Sequence, residues 1–388
     1  MLSARDRLTN YSKISPKRVN FVGIQQSHTV ACAGYGQMPV RTGYEQVIAH
    51  RTSDLFALTA KSAGKVTQIS EAGIIVEYEN GETKGYEIGR RFGHAAGLII
   101  PHSVVTDMKV GQKFKEGDLI CYNEGFFEKD ILNPNNVVWK AGILVKTALM
   151  ESTATLEDSS AISAKVAKLL TTNTTKIKDI IVNFDQSVHR LVKVGTSVES
   201  EDILCIIEDA ITANAELFDE SSLDTLRILS SQAPQAKVKG VIERIEVYYH
   251  GDKQDMSESL KALTNASDAK LGKRNKEIGK KAFTGAVDTD FRVEGDSLAL
   301  DTADIRIYIT SEVDAGMGDK GVFCNQMKTI FGEIFENKIT SESGKEIDAI
   351  FGYESINARI VNSPIIMGTT ATLLDVIGKQ AVAIYKGK

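Results

Sequence analysis

The stretch Ile305-Arg-Ile-Tyr-Ile309, followed by Gly316-Met-Gly-Asp-Lys-Gly-Val322, decides how this chain is read. The first piece alternates apolar and polar residues, the period of a strand with one covered face. The second is a glycine-bracketed loop presenting Asp319 and Lys320. Glycines let the backbone approach a ligand closely, and a lysine held there is a point charge suited to phosphate. The same residues also suit a surface turn with one solvated lysine. The order of features around the loop therefore has to carry the argument. Downstream lie Ile347-Asp-Ala-Ile350, with Asp348, and Ile356-Asn-Ala-Arg-Ile360, with Arg359.

Working outward, the composition is 42% hydrophobic and 25% charged over 388 residues, that of a soluble globular chain of roughly two to three domains. No run reaches the ~20 apolar residues that span a bilayer, and the N-terminus carries no apolar signal core. Residues Met1 to Arg18 are polar, with Arg5, Arg7, Lys13, Lys17 and Arg18, and read as an exposed or partner-bound arm. Cys32, Cys121, Cys205 and Cys324 are widely spaced, which argues against a zinc site or disulfide framework and implies free thiols in a reducing cytoplasm. The six histidines show no HxxxH or HExxH spacing. Trp139 reads as a core anchor, and Ser27-His28 lacks the G-x-S-x-G elbow of a nucleophile. A net charge of −5 does not suit a stand-alone nucleic-acid binder but suits one subunit of an assembly. The basic run Lys270–Lys281 reads either as a solvated helix face or as a segment contacting a nucleic-acid backbone.

The pattern is mainly β. Strands are expected at Lys65–Ile69, Gly73–Tyr78, Val137–Leu149, Lys178–Phe184, Val238–Tyr249 and Asp304–Ile309. Asn80-Gly81 marks a hairpin in which both central residues can take positive φ. Helices are expected at Ser159–Leu170, Ser221–Leu229, Gln254–Leu263 and Thr370–Ile377, the first capped by Glu157-Asp158-Ser159. Val110-Gly-x2-Phe-x-Glu-Gly-Asp-Leu-Ile and Val194-Gly-x2-Val-x-Ser-Glu-Asp-Ile-Leu form a weak internal repeat of the kind found in small barrels.

From Asp304 to Ile377 the chain resembles the catalytic-barrel segment of the beta subunit of multisubunit DNA-directed RNA polymerases. Gly318-Asp-Lys-Gly321 is similar to the family's GDK loop, and Ile356-Asn-Ala-Arg-Ile360 to its V-x-x-R-M turn. Collinear with these, Ser15-Pro-Lys-Arg-Val19 resembles the S-P-K-Q-I/V entry to the fork region. Pro39-Val-Arg-Thr-Gly-Tyr-Glu45 resembles P-x-V-x-T-G-M-E, and Gly64-Lys-Val66 through Ile74-Ile-Val76 resembles G-x-V … I-x-V. Val110–Leu119 is similar to V-x-x-G-x-x-V-x-x-G-D-x-L, and Thr155–Ser160 occupies the place of G-Y-N-Y-E-D-S/A.

The resemblance implies a double-psi β-barrel with an inserted flap-like β-rich module and an N-terminal β-rich region. It divides the chain into a fork and β-hairpin region (1–95), a leading barrel segment (96–165), the insert (166–284) and a trailing barrel segment (285–388). It implies that Glu157 and Asp158 lie near a second metal and the incoming nucleotide. Lys320 would lie near the RNA 3′ end and phosphates, and Arg359 and Arg91 would bind the triphosphate. Mg2+ would be held mainly by a beta-prime-like partner, since no D-x-D-G-D run is present. The remaining partners would be further beta fragments, DNA template, RNA and NTPs, with no membrane, in a host cytoplasm or virion.

The departures from the family pattern are specific. G-D-K-M-x-x-R-H-G-N-K-G collapses to Gly318-Asp-Lys-Gly-Val322, so Lys320 stands for one of two lysines. The fork segment is shortened to His28–Gly34, and Gly89-Arg-Arg-Phe-Gly-His94 keeps little beyond basic charge. The family's N-terminal lobes and C-terminal clamp piece have no counterpart, as in the split polymerases of large bacteriophages. A second reading is a polymerase-derived barrel that lost catalysis and serves as a structural or virion component. A third is an unrelated carbohydrate- or nucleotide-binding β-barrel module.

Overall fold

Glycine and acidic turns cut the chain after residue 56 into short strands: β1 (Ala57–Thr59), β2 (Gly64–Ile69), β3 (Gly73–Tyr78) and β4 (Thr83–Glu87). They are followed by β5 (Gly89–Ala95), β6 (Leu98–Val105), β7 (Lys113–Phe114) and β8 (Leu119–Asn123). The computed structural model describes residues 28–38, 56–95, 98–156, 158–209, 231–281, 283–324, 327–358 and 363–387. An antiparallel sheet runs in the order β4-β3-β2-β7 over a core of Val66, Ile74, Val76, Tyr78 and Phe114. The β3–β4 turn is tighter in its demands than the sequence suggested. Gly81 has φ +82° and donates from its amide to Tyr78 O, while Asn80 is absent from the positive-φ residues and accepts from Glu82 N through Oδ1. A three-residue loop with one left-handed glycine replaces the two-residue turn.

The chain continues through β9 (Thr147–Leu149), β10 (Ser159–Ser163), helix α1 (Ala164–Leu169), β11 (Thr172–Asn183), β12 (Ser197–Val198) and β13 (Gly240–His250). Then come helix α2 (Glu258–Glu277), β14 (Thr302–Val313), β15 (Lys320–Phe323), β16 (Met327–Phe335), β17 (Ala349–Phe351), and helices α3 (Tyr353–Ala358) and α4 (Ser363–Tyr385). The large sheet has the order β1-β8-β6-β11-β14-β13-β12, with β5 paired to β6. At its centre β14 pairs with β11 from Thr172↔Val313 to Asn183↔Thr302, and with β13 from Val241↔Thr310 to His250↔Thr302. Strands β11 and β13 come from the stretch expected as an insert, and β14 from the expected trailing barrel segment. All three form one continuous sheet. Its apolar face joins Ile305, Ile307 and Ile309, each without exposed surface, to Ile180, Val182, Val247 and Leu260 of α2. A second sheet has the order β9-β17-β10-β16-β15 and mixes parallel with antiparallel pairs.

The fold is mainly β, with 41% strand and 19% helix, and no closed barrel is found among the described residues. Three sequence expectations need correction. Ser159–Leu170 is not one helix: Ser159–Ser163 pairs in parallel with β16 and antiparallel with β17, and Ser163, not the Glu157–Ser159 run, caps α1 by accepting from Val166 N. Sheet pairing on both edges outweighs a short stretch's local preference. The helix expected at Gln254–Leu263 starts later and runs on to Glu277, because Ser257 accepts from Leu260 N and so caps it. Val137–Leu149 splits into Val137–Trp139 and β9. Ser221–Leu229 lies outside the described residues.

The internal repeat is matched hydrogen bond for hydrogen bond. Gly111 (φ +83°) donates to Val66 O and Gly195 (φ +89°) to Ile242 O. Val66 N returns a bond to Gln112 O, and Ile242 N to Thr196 O. Asp118 accepts from Lys115 N, and Asp202 from Glu199 N, both at 2.8 Å. Ile120-Cys121 and Leu204-Cys205 are buried at equivalent places. The acidic residue closes the turn in both copies, whereas the position before it is Gly117 in one and Glu201 in the other.

The end of α2 lies directly on the β3–β4 hairpin. A Cβ on Gly85 would sit 2.0 Å from Ile278 O, and one on Gly73 2.3 Å from Glu277 O, while around Gly272, within α2, nothing lies within 4 Å. Gly85→Ala is therefore expected to destabilise the protein by about 2–4 kcal/mol. Gly272→Ala is expected to stabilise it by about 0.5–1 kcal/mol. Urea denaturation of both variants tests this, and equal effects of the two would contradict the close approach.

Candidate functional site

The loop before β15 is built by backbone constraints that can be assigned one by one. Gly318 has φ +91° and donates to Phe331 O at 2.8 Å, and Phe331 N donates to Asp319 O at 3.0 Å. The Asp319 carboxylate turns back to accept from Gly316 N at 2.8 Å. A Cβ on Gly321 would lie 2.4 Å from the Phe331 ring, so that glycine makes room for a core aromatic. Each residue of Gly318-Asp-Lys-Gly321 except Lys320 thus has a structural task. The Lys320 side chain is exposed, at the start of β15.

Strand β16 brings two of the sequence-selected positions together. Ile330 pairs with Lys320 on one edge and with Ser159 on the other, and its N–H donates to Asp158 O at 3.0 Å. Lys320, Ile330 and Ser159 therefore share one face of the sheet, and Ile330 is 44% exposed. Two strand spacings separate the Lys320 and Ser159 backbones, roughly 10 Å. Asp158 is half-buried and has φ +67°, a left-handed conformation that aspartate tolerates better than most residues. On the opposite face Thr329 Oγ1 donates to Ser160 Oγ at 2.9 Å, both buried. Helix α3, which leads to Arg359, is anchored beside this sheet by Ile356 packed with Met327 and Phe351. Glu157 and Arg359 themselves lie outside the described residues. Asp348 accepts from Lys146 N at 3.0 Å and lies 3.5 Å from Lys165 Nζ, which ties β17 to its neighbours.

Arg91 belongs to the other sheet. On β5 it pairs with His102 and its Nε lies 3.7 Å from Glu87, which also binds Arg274 of α2. Among the described residues the basic run thus has two members in ion pairs, Arg274 with Glu87 and Lys273 with Glu277 at 3.8 Å. Next to Arg91, a cavity of about 180 Å³ is lined by Arg90, His102, Ser103, Asn123 and Thr172, among others. Arg90 there is already clamped by both oxygens of Glu243, at 2.8 and 2.6 Å. Burial, then the charges of Arg91 and Arg90, push the His102 imidazole below its usual range, and its Nδ1 lies 3.1 Å from Asn123 Nδ2. The neutral ring accepts there from the Asn123 amide.

The sequence did not reveal one cluster, on the polar face of β14. Asp304 has no exposed surface, and among the described residues neither of its carboxylate oxygens has a hydrogen-bond partner. Arg306 Nη2 lies 3.1 Å from Asp304 Oδ2 but is not aligned to donate; Arg306 Nε donates instead to Asp179 at 2.7 Å. Alternation in Asp304-Ile-Arg-Ile-Tyr308 places these side chains on one face, but only the fold covers that face. Burial, and next the Asp179 charge, raise the Asp304 carboxyl to about 7 against the pull of Arg306.

No protein-family model matches the chain, and no curated protein matches it. Among the described residues no group of three or more His, Cys, Asp or Glu is placed to hold a metal, and no helix is long and apolar enough to cross a membrane. Cys32, Cys121 and Cys205 are buried and Cys324 is half-buried, and no disulfide joins any of the four.

The Asp304 shift has a definite sign. From about pH 4 to pH 7 the folded state keeps a proton that the unfolded chain has released, so stability falls as pH rises through that window. The loss approaches 4 kcal/mol, about 1.4 per unit, as an upper figure. Asp304→Asn is expected to flatten this slope and to exceed the parent in stability at pH 8. Denaturation midpoints at pH 5 and pH 8 test it; a variant with the parent's slope would assign the pH dependence elsewhere.

Proposed function

We propose that this chain is a beta-like, split subunit of a DNA-dependent RNA polymerase, inactive alone, that presents Lys320 and Asp158 to nucleotide and RNA opposite a metal-bearing beta-prime-like subunit. In this proposal the mixed sheet β9-β17-β10-β16-β15 belongs to a double-psi barrel, and Mg2+ comes mainly with the partner. The observation that carries the reading is the meeting of Asp158 and Lys320 at Ile330. A residue more than 150 positions away in sequence bonds Ile330 through its backbone, one strand across from the lysine whose side chain the turn does not use. A cation about 10 Å from an acidic segment, on an exposed sheet face, suits a polyanionic ligand approached by a partner-held metal. Glu157 beside Asp158, and Arg359 after α3, complete the proposed set. Arg91 has the weaker claim, since it is engaged by Glu87 in the other sheet.

The non-catalytic reading, a polymerase-derived structural or virion component, is favoured by one observation: turn geometry alone accounts for Gly318, Asp319 and Gly321. The two readings separate in one experiment. Tagged chain is recovered with its native partners and assayed for nucleotide incorporation on a DNA template. Lys320→Ala is expected to lower incorporation about a hundredfold with the assembly intact, while Lys61→Ala, exposed and outside this sheet, leaves it unchanged. An active assembly indifferent to Lys320→Ala and Arg359→Ala, or recovery only with structural particles, rules out the catalytic role.

A further inference from the structure

Helix α4 spans 23 residues, about 34 Å, yet none of its side chains of described burial is buried. Ile377 is 57% exposed, Ile384 78% and Tyr385 91%, with Leu373, Leu374, Val376 and Val382 also open to water. A solitary helix of this composition gains nothing from water and needs a covering surface. From exposure and periodicity, independently of the function proposed above, we infer that copies of this chain associate through α4 as a parallel helical bundle.

Thr370, Leu374, Ile377, Ala381 and Ile384 recur at alternating spacings of four and three, one continuous coiled-coil seam. The helix carries only Asp375 and Lys379 as charged residues, and these pair with each other at 2.6 Å on the side away from the seam. Nothing charged flanks the seam, so an identical helix meets no like-charge repulsion. The flanks are also self-complementary in size. One carries Ile366 and Leu373, the other Ala371 and Gly378. When two copies run parallel, a residue on the first flank meets the residue five positions later on the second. Leu373 then faces Gly378 of the partner subunit, and Ile366 faces Ala371 of the partner subunit. Antiparallel packing would set bulky flank against bulky flank and small against small.

Gly378 leaves the room that this pairing needs. A glycine inside a helix weakens it, and among the described residues no atom beyond its chain neighbours and the helix's own nearby backbone lies within 4 Å of where its Cβ would be. Gly272 in α2 and Gly368 in α4 are equally open among the described residues; at Gly378 the open space lies where Leu373 of a second copy would enter. Leucine and isoleucine at successive seam positions, Leu374 and Ile377, favour more than two strands.

Light scattering and sedimentation of the full chain at micromolar concentrations are expected to give a multiple of the 42.3 kDa chain mass. Ile377→Asp is expected to give a monomer whose near-ultraviolet circular dichroism is unchanged, since α4 stands outside the core. Gly378→Leu raises helix propensity but fills the space Leu373 enters, so it should weaken association about tenfold or more. Ile384→Cys should form a disulfide between copies, because parallel packing sets like positions opposite one another. A monomeric parent chain, an oligomer that survives Ile377→Asp, or tighter association of Gly378→Leu would each overturn the proposal. An intact oligomer without the Ile384→Cys disulfide would overturn the parallel arrangement.

Discussion

The ladder of β14 between β11 and β13 is the constraint that the rest of the molecule answers to. This twelve-residue strand is hydrogen-bonded along both edges, so its side chains can go only up or down. Upward, Ile305, Ile307 and Ile309 are wholly buried, each contributing about 1.5–3 kcal/mol. Downward, Asp304, Arg306 and Tyr308 are also mostly covered, and polar groups taken from water must find partners in the neighbouring strands. Register supplies them. Arg306 faces Asp179 on β11 and stacks its guanidinium against Tyr248 and Phe291, with centroid distances of 5.4 and 5.1 Å. Tyr308 reaches Glu246 at 3.2 Å, and Tyr248 reaches the same carboxylate at 2.9 Å. Slipping either neighbour by one residue would turn every one of these groups to the wrong face.

The charged face also joins the sheets. Glu246 lies 3.6 Å from Arg244 and 3.9 Å from Arg274, and Arg274 continues to Glu87 at the end of β4. Arg244 packs over the Phe92 ring at 4.7 Å, tying β5 to β13. Burial first, and the Glu246 charge next, push the Tyr308 phenol up to about 12, so it remains a donor to Glu246 across the neutral range. Such covered ion networks cost much of what they return, and their effect is to specify one arrangement of the elements. Asp304, left without a hydrogen bond, is where that specification is least complete. The tight approach of α2 to Gly73 and Gly85 adds a steric lock to the same junction.

Local signals in the sequence translated well where the structure is local. The alternation at Ile305–Ile309 lies within β14, Gly73–Tyr78 is β3 with the same bounds, and the Val110 and Val194 segments share a turn because Asp118 and Asp202 make the same bond. Reading failed where distant pairing decides. Ser159–Ser163 has capping chemistry, but β16 and β17 claim both its edges. The GDKG segment was legible as a turn; its neighbour across Ile330 was not, since nothing near Lys320 in sequence points to Asp158. Sequence alternation likewise placed Arg306 and Tyr308 on one face without revealing that β13 and Phe291 cover it.

The same separation of local from distant causes limits what the GDKG loop can mean. Its glycines are accounted for by a left-handed turn and by the Phe331 ring, and its aspartate by the Gly316 amide. The left-handed backbone of Asp158 goes with a carbonyl that accepts from Ile330, so its conformation serves the sheet as well. Motif residues that a fold already needs would persist in a polymerase subunit and in a non-catalytic descendant alike. Discrimination therefore passes to the side chain the fold leaves idle. Lys320 is exposed, its neighbours hold the turn without it, and its replacement by alanine costs the sheet little. Lys320 is one of two exposed lysines on this face, with Lys328, and its independence of the turn makes its contribution separable from folding.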